Sequence, residues 1–181
     1  MGRGIPDGWY DYTSIGDLIC GTRFIPFKVP LKEQLLRVHD VSEEDWFTPT
    51  IMINKMKEQD REIGLIIDLT NTNRYYDLKE ITNAGIGYVK IFTEGKVVPC
   101  VDVQNEFFDT VDKFISENQH NNLFIGVHCT HGLNRTGYLI CRYMINRMNC
   151  KGEDAINAFN HARGHVIERQ EYIDDLTKPN K

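Results

Sequence analysis

The sequence predicts an α/β fold in which helices flank a central, mostly parallel and twisted sheet. The first observation is GLIIDLT (64–70), a short continuous apolar run that is typical of a buried parallel strand. Two further short runs, YVKIF (88–92) and LFIGV (123–127), are also predicted to be strands. Helical patterns lie around these runs, and strands that alternate with helices favour parallel pairing.

The first third of the chain supplies an extension, a strand and a helix. Residues 1–20 are rich in Gly, Pro and aromatic side chains, and we expect them to wrap the body of the domain. TRFIPFKV (22–29) alternates well enough to predict a strand, which Pro30 ends. Thr48 and Pro49 can open a helix whose apolar residues are partly periodic.

The second half of the chain is mainly helical. Phe107, Phe108 and Val111 have the i, i+3, i+4 spacing of an amphipathic helix, which we predict over 103–117. Three more helices are predicted over 136–148, 153–162 and 168–176. We expect these elements to form one domain over 1–181, with a flexible tail at 177–181.

Composition limits the possible classes of function. Hydrophobic residues make up 41% of the 181 residues and charged residues 26%, which is typical of a globular protein. The formal net charge of −5 argues against a chain that coats nucleic acid by bulk attraction. A nucleic acid would therefore have to be bound by a local basic patch. We also expect the protein to be a monomer.

The cysteines and the apolar runs indicate where the protein works. Its five cysteines are an odd number and contain no CxxC pair, which favours free thiols in a reducing compartment. No apolar run approaches the 18 residues of a membrane span. The first ten residues lack the apolar core of a signal peptide. We therefore expect a protein that neither spans a membrane nor is secreted.

The stretch GVHCTHGLNRTGYLICRYMI (126–145) predicts a phosphate-binding loop. Cys129 lies two residues past a predicted strand, at the carboxyl end where α/β sheets bind ligands. A loop that leaves a strand and enters a helix points several backbone N–H groups into one space, and the helix N-terminus favours anions. Gly132 permits a crowded or left-handed turn, Gly137 lets the helix approach the sheet, and Arg135 can grip two phosphate oxygens.

The same surroundings activate the thiol of Cys129. A helix N-terminus and a nearby cation lower the pKa of a cysteine below its ordinary value of about 8.5. Thr136 can donate its hydroxyl to the thiolate, and His128 can orient the loop from behind. The chemistry that follows is phosphoryl transfer onto sulfur and hydrolysis of the thiophosphate, with Arg135 and the amides stabilising the transition state. This chemistry needs no metal or cofactor. The alternative to a catalytic role for these residues is that Cys129 is a buried cysteine beside a structural arginine.

HCTHGLNRTG resembles the phosphate-binding loop of the cysteine-dependent, dual-specificity-like phosphatases, and more narrowly their RNA 5′-triphosphatase branch. The branch includes the triphosphatase domain of metazoan mRNA capping enzymes, baculoviral RNA phosphatase and the RNA/RNP complex-interacting phosphatases, which the chain resembles most. The resemblance extends over GRGIPDGW, GTRFIPFKVPL, GLIIDLTNTNRYYD and ARGHVIERQEYI. It implies the cysteine-phosphatase fold.

The resemblance also implies an activity, a partner and a location. Members of this branch hydrolyse phosphoanhydrides at RNA 5′ ends, so we expect metal-independent removal of the γ-phosphate and of the β-phosphate. The partners would be triphosphate or diphosphate RNA ends and RNA–protein complexes, in the nucleus or otherwise in the cytoplasm. Two alternatives are a dual-specificity protein phosphatase, acting on phosphotyrosine, phosphoserine and phosphothreonine, and an inactive module that only holds phosphate.

Several residues are candidates for roles in this site. The substrate phosphate would be bound by the loop residues Thr130, His131, Gly132, Leu133, Asn134, Arg135 and Thr136. Asp102 could be a general acid, although it could equally be the N-cap of a helix. Asp68 ends a strand near the same edge of the sheet and could act as an acid, orient Arg135 or the loop, or hold a water molecule.

The last candidates concern the further phosphates and the first base. Arg163 and Arg169 lie in the final segment, which in this superfamily returns over the pocket, and they could contact neighbouring phosphates. Arg74, Tyr75 and Tyr76 could wall the pocket, and a tyrosine could stack on the first base; packing in the core or rim is the alternative. His131 and His165 belong to no cluster of metal ligands, so no metal site is predicted.

Overall fold

A computed structural model describes residues 4–178 and contains a four-stranded sheet. The strands are β1 (Phe24–Phe27), β2 (Ile63–Asp68), β3 (Gly87–Lys90) and β4 (Phe124–His128). Their order in the sheet is β1-β4-β2-β3, and all three pairings are parallel. The prediction of an α/β fold with a mostly parallel sheet is confirmed.

Seven α-helices surround the sheet in the described part of the chain. They are α1 (Glu33–Val38), α2 (Pro49–Glu58), α3 (Lys79–Thr82), α4 (Val101–Glu117), α5 (Asn134–Met148), α6 (Gly152–Arg163) and α7 (Gln170–Thr177). Short 3₁₀ turns occur at Trp9–Asp11 and Glu43–Asp45. Helices α1 and α3 were not predicted, because six and four residues are too few to show a helical period.

Strand β1 lies at one edge of the sheet, and its sequence fits that place. Pro26 lacks an N–H group, which a central strand would need for pairing but an edge strand does not. The segment before β1 covers this edge: the N–H of Gly16 donates to the Pro26 carbonyl oxygen at 2.8 Å, and Ile15 forms an antiparallel bridge with Phe27. The open edge of the sheet is therefore protected by the chain itself.

The N-terminal segment is attached to the domain by buried polar contacts. Trp9 is fully buried, and its indole N–H donates to the Val29 carbonyl oxygen at 2.9 Å. The ammonium group of Lys28 donates to the carbonyl oxygens of Trp9 and Tyr12 at 2.9 and 3.0 Å, and it lies 3.7 Å from the centre of the Trp9 ring. Burial lowers the pKa of Lys28 to about 8. These contacts hold residues 9–12 against the sheet.

The C-terminal part of the domain is formed by helix α7. Helix α7 ends at Thr177, and residues 179–181 of the expected tail lie outside the described residues. Among residues 4–178, none of the helices combines the length and apolar character that crossing a membrane would require. All five cysteines have free thiols.

Helix α5 is the central helix of one face of the sheet. Nine of its residues are buried, among them Leu139, Ile140 and Cys141. A Cβ atom at Gly137 would lie 2.6 Å from the Phe159 ring and 2.9 Å from Ile167, so the absence of a side chain lets α5 and α6 approach closely. This close packing fixes the N-terminus of α5, which begins at the loop that follows β4.

The register of the strands brings polar residues to one edge of the sheet. Asp68 is opposite His128 of β4 on one side and opposite Lys90 of β3 on the other. All three are the last residues of their strands. The carboxyl ends of the parallel strands therefore place Asp68, Lys90 and the loop beginning at Cys129 side by side.

Candidate active site

The loop between β4 and α5 adopts a compact turn around the Cys129 sulfur. Gly132 has a φ of 63°, in the left-handed region, and a Cβ atom there would lie 2.0 Å from the Phe27 carbonyl oxygen. No other residue type fits that space without moving β1. The backbone N–H groups of Thr136 and Leu133 are among the groups that lower the pKa of the Cys129 thiol.

Electrostatics favour the anionic form of Cys129. The thiol is only 3% exposed, and burial by itself would raise its pKa. The charge of Arg135 and the hydrogen bonds from Thr136 and Leu133 outweigh burial, so the pKa is lowered from its ordinary value. The Thr136 hydroxyl is buried and has no hydrogen-bond partner of its own among residues 4–178, so it is free to donate to the thiolate. Cys129 can therefore act as a nucleophile at neutral pH.

Carbonyl oxygens from two neighbouring loops hold Arg135 in position. One guanidinium nitrogen donates to the carbonyl oxygens of Thr93 and Leu69, at 3.0 and 3.3 Å. The other donates to the Thr130 hydroxyl at 2.9 Å. The guanidinium lines the same cavity as Cys129, so it is preorganised to meet phosphate oxygens at the sulfur.

His128 supports the loop from inside the protein. It is fully buried, and its Nδ1 lies 3.1 Å from the Cys129 carbonyl oxygen. Because a carbonyl only accepts hydrogen bonds, Nδ1 carries the proton and Nε2 accepts from the Tyr76 hydroxyl at 2.8 Å. Burial lowers the pKa of His128, in agreement with a neutral ring. This places His128 behind the loop, where it was expected.

Asp68 lies beside the site but does not contact Arg135. One carboxylate oxygen accepts from the N–H and hydroxyl of Thr70, and the other accepts from the Tyr88 hydroxyl at 2.8 Å and lies 3.0 Å from the Lys90 ammonium. Burial opposes ionisation of Asp68, but the neighbouring His128 and Lys90 and the hydrogen bonds of Thr70 lower its pKa. Asp68 faces a neighbouring cavity, and one of its oxygens lies 3.8 Å from Nε2 of His128, the residue behind the loop. A role in orienting the loop stays a prediction.

Arg163 supports the loop rather than lining the pocket, which corrects the expected phosphate contact. It is 1% exposed. Its guanidinium donates to the carbonyl oxygens of Gly132 and His131, each at 2.9 Å, and to the hydroxyl and carbonyl oxygens of Thr13, each at 2.7 Å. Burial lowers its pKa to about 10, so it stays charged at neutral pH. The sequence could not show that its four hydrogen bonds are all directed at the loop and the N-terminal segment.

Asp102 lies on the exposed first turn of α4, away from the residues that line the cavity. This placement contradicts a general-acid role in the described conformation. The alternative role was also wrong, because the N-cap of α4 is Cys100 and Asp102 is the second residue of the helix. A carboxylate at that position interacts favourably with the helix dipole.

Asn134 connects the phosphate-binding loop to α7. Its side-chain carbonyl accepts from the N–H groups of Glu168 and Arg169, at 2.9 and 3.1 Å. Arg169 is the N-cap residue of α7, and its side chain lines the cavity next to Cys129. Asn134 thereby fixes the distance between the loop and Arg169.

The Cys129 cavity has a volume of about 360 Å³ and contains four cationic side chains. Three of them, Arg74, Arg135 and Arg169, were expected from the sequence, whereas Lys96 was missed. Lys96 lies in the loop after β3 and has a left-handed φ of 71°. The rule that ligands bind at the carboxyl ends of parallel strands could have identified it, because this loop leaves the same edge as Asp68 and Cys129.

The N-terminal segment and α7 complete the walls of this cavity. Pro6 and Asp7 line one side, and the Asp7 carbonyl oxygen accepts a hydrogen bond from His131 Nε2 at 2.8 Å. Tyr172 of α7 also lines it, and its hydroxyl donates to the Val97 carbonyl oxygen at 2.7 Å. No motif in the sequence indicated these three residues. Their contribution depends on how distant segments pack.

The tyrosines of the loop after β2 divide between two cavities. Tyr75 lines the Cys129 cavity, and the Arg74 guanidinium lies 4.4 Å from its ring centre while donating to the Gly4 carbonyl oxygen at 2.7 Å. Tyr76 instead lines the neighbouring cavity. His165 lies outside the pocket lining and accepts from the N–H of Thr13 at 3.0 Å. Within residues 4–178, no group of three His, Cys, Asp or Glu side chains is arranged to bind a metal ion.

The arrangement is suited to nucleophilic attack by sulfur on a phosphorus atom. A low-pKa thiol lies at the centre of a loop of N–H groups, at the N-terminus of a helix that carries about half a positive charge. Arg135 lines the same cavity, and so do three further cations. These groups can stabilise the charge on a transferring phosphoryl group.

Comparisons with known proteins agree with this reading of the site. Residues 47–181 match the family model of the dual specificity phosphatase catalytic domain. The mouse RNA/RNP complex-1-interacting phosphatase is 49% identical over 174 residues, which are 96% of this chain and 53% of that protein. The tyrosine-protein phosphatase of Autographa californica nuclear polyhedrosis virus is 42% identical over 171 residues, which are 94% of this chain and 98% of that protein.

A solved structure shows the same fold at low sequence identity. Tk-PTP in its active form matches with a TM-score of 0.60 and 18% identity, over 90% of this chain and 95% of that one. The chain spans about half the length of the mammalian relatives it matches. These findings confirm the family resemblance that the loop and the segments around it indicated.

Proposed function

Because this chain belongs to the dual-specificity phosphatase family, we propose that it hydrolyses phosphoanhydrides at the 5′ ends of RNA. The reaction removes the γ-phosphate and then the β-phosphate, without a metal ion. The single observation that supports this substrate best is the set of cations in the Cys129 cavity. Arg135 suffices for one phosphoryl group, whereas Arg74, Lys96 and Arg169 are available to further phosphates of a chain.

The reaction proceeds in two displacements at phosphorus. The Cys129 thiolate attacks the γ-phosphorus, an S–P bond forms, and the bond from phosphorus to the bridging oxygen breaks. RNA with a diphosphate end leaves, and water then cleaves the S–P bond to give inorganic phosphate and the thiolate. Arg135 and the loop N–H groups bind the equatorial oxygens throughout. A second cycle on the diphosphate end leaves a monophosphate end.

The leaving group explains how the reaction can proceed without a general acid. A phosphate or diphosphate is far less basic than an alkoxide, so its departure needs little protonation. The acids considered from the sequence, Asp68 and Asp102, do not line the Cys129 cavity, and among residues 4–178 Asp7 is the only acidic residue that does. Such a site favours phosphoanhydrides over alkyl phosphate esters.

The names of the relatives fit two kinds of substrate. The mouse relative is named for its interaction with an RNA/RNP complex, and we extend that partner and a nuclear location to this chain. The viral relative is named a tyrosine-protein phosphatase, which favours a dual-specificity protein phosphatase as the second candidate function. The same thiolate and Arg135 would serve a phosphotyrosine.

Product analysis with labelled RNA tests the proposal. RNA labelled in its γ- or β-phosphate is incubated with the protein and a chelator, and the products are separated by thin-layer chromatography. We expect labelled inorganic phosphate from both RNAs, and a kcat/KM higher than on a phosphotyrosine peptide. Cys129→Ser should abolish turnover and keep RNA binding. Turnover of the peptide alone would support the second candidate, and binding without any thiophosphate formation would indicate an inactive module.

A further inference from the structure

A second cavity, of about 500 Å³, opens beside the phosphate cavity. It is bounded by the loop after β2 and by the end of β3, and its lining includes Asn73, Tyr76, Tyr88 and Phe92. Tyr75 lines both cavities, so the two are separated by one side chain. Its size is within the range of small-molecule sites, and nothing in the two-displacement reaction uses it.

The charges of this second cavity make it unsuitable for phosphate. Its lining contains the carboxylates Asp68 and Asp77 and one cation, Lys90. The Lys90 ammonium is already paired with Asp68 at 3.0 Å, and it donates to the Thr70 hydroxyl and the Thr72 carbonyl oxygen at 2.6 and 2.7 Å. A neutral ligand with flat faces and hydrogen-bonding edges fits these walls better than an anion does.

One loop connects the two cavities. Phe92, at its start, lines the second cavity and is 55% exposed, so part of its surface is accessible to a ligand. The next residue, Thr93, holds Arg135 through its carbonyl oxygen, and Gly95 and Lys96 line the phosphate cavity. A ligand that filled both cavities would therefore contact this loop at two points. Its phosphates would lie against Gly95 and Lys96, and its other end would lie against Phe92.

We propose that the second cavity binds the nucleoside of the first nucleotide of the substrate RNA. The proposal rests on the proposed function, because the 5′ phosphates must occupy the neighbouring site. The base stacks on the exposed ring of Phe92, and the amide of Asn73 faces its hydrogen-bonding edge. A stacked base accounts for the exposed aromatic ring, and the cavity adds a preference for RNA ends over free polyphosphate.

Kinetics on paired substrates test this role. The kcat/KM for triphosphorylated RNA is compared with that for inorganic tripolyphosphate, which has no nucleoside. Phe92→Ala should lower the ratio of the two values by roughly tenfold, the scale of one lost base stack. Val101→Ala, which also removes an exposed apolar side chain (66% exposed) but lines neither cavity, should leave the ratio unchanged. An equal loss on both substrates would overturn the proposal.

Crosslinking locates the base directly and independently of turnover. Triphosphorylated RNA that begins with 6-thioguanosine is bound to the Cys129→Ser variant, irradiated and digested with trypsin. We expect the crosslink in the peptide of residues 91–96, in that of residues 62–74, which contains Asn73, or in that of residues 75–79. A crosslink confined to other peptides, while the wild type still hydrolyses RNA, would overturn the subsite and leave the proposed function standing. A larger effect of Phe92→Ala on a phosphotyrosine peptide than on RNA would assign the cavity to a protein substrate instead.

Discussion

Cys129 is buried, yet its surroundings stabilise its anion. Besides the charge of Arg135, the groups that lower the pKa of its thiol are the hydroxyl and N–H of Thr136 and the N–H of Leu133, at the start of α5. The sequence predicted this chemistry because the Cys-x5-Arg spacing, the glycines and the strand-to-helix switch are all local features. What it could not give was the set of partners from distant segments, such as the carbonyl oxygens of Leu69 and Thr93 that hold Arg135.

Replacing Thr136 by valine should make the thiol less acidic. The variant keeps the backbone N–H and the shape of the side chain but removes the hydroxyl that stabilises the thiolate. The pKa of Cys129 should rise, and turnover should fall by roughly tenfold, as for one lost hydrogen bond to a charged group. The rate of alkylation by iodoacetate, followed against pH, should show a higher midpoint than in the wild type. Thr110→Val, which removes an exposed hydroxyl of α4, is the control. Equal midpoints in all three proteins would contradict the role of Thr136.

Arg169 and Lys96 should matter more for a chain of phosphates than for one phosphate. Both line the Cys129 cavity, and neither is among the groups that lower the pKa of the thiol. Arg169→Ala and Lys96→Ala should each lower kcat/KM on triphosphorylated RNA by roughly tenfold or more, because a charge-assisted hydrogen bond is lost. The loss on p-nitrophenyl phosphate should be smaller. Lys113→Ala, which removes an exposed cation of α4, should change neither value. An equal loss on both substrates in the Arg169 and Lys96 variants would contradict the multi-phosphate role.

Arg163 and Asp102 show where reading single residues from sequence fails. Both are charged residues in segments that could reach the pocket, and charge alone does not tell whether a side chain points outward, inward or to the substrate. Arg163 is 1% exposed and serves four acceptors of the protein, whereas Asp102 lies on the solvent side of α4. Only tertiary packing distinguishes these cases.

At the scale of elements, the turn that joins β4 to α5 depends on one glycine. Gly132→Ala would place a Cβ atom 2.0 Å from the Phe27 carbonyl oxygen, in addition to the strain of a left-handed φ. Gly85→Ala is a matched control, because Gly85 also has a positive φ, of 76°, but no atom within 4 Å of the added group. The control should lose about 1–2 kcal/mol of unfolding free energy.

Gly132→Ala should lose more than about 4 kcal/mol and all turnover, because β1 or the loop must move. Urea unfolding measures the stability of both variants. Equal losses in the two variants would show that the contact with β1 is unimportant.

The strands and long helices could be predicted from their patterns, and the short elements could not. Strand β2 and helices α4 and α5 show clear apolar runs or periods, and their predicted positions agree with the structure to within a few residues. Helices α1 and α3 are too short for a period and depend on packing around the loops. The N-terminal segment has no regular pattern, yet Trp9 and Lys28 anchor it through buried contacts.

At the scale of the whole molecule, the site is assembled around the parallel sheet from five places in the chain. The loops after β2, β3 and β4 leave one edge of the sheet, and the N-terminal segment and α7 close the sides of the cavity. The chain has a net charge of −5, so the cations in the cavity form a local exception on an acidic protein. An anionic substrate is therefore attracted to this cavity rather than to the surface in general.

The buried His128 should make the folded protein sensitive to mild acid. Its pKa is lowered in the folded state, so the unfolded chain takes up the proton first as the pH falls. The free energy of unfolding should be highest above the unfolded pKa of about 6.5 and should decrease as the pH drops below it. Urea unfolding at about pH 7 and about pH 5 should show a smaller decrease for His128→Gln than for the wild type. The same decrease in His128→Gln as in the exposed control His120→Gln would contradict this assignment.

The most direct test of the central claim is to find the phosphoryl group on the sulfur during RNA turnover. The protein is mixed with γ-labelled triphosphorylated RNA in the presence of a chelator, quenched with acid and digested with trypsin. The account predicts a labelled phosphoryl group on Cys129 in the peptide of residues 114–135, and no label on Cys141 in the peptide of residues 136–142. Release of labelled phosphate with Cys129 never labelled, or release that Cys129→Ser retains, would contradict it.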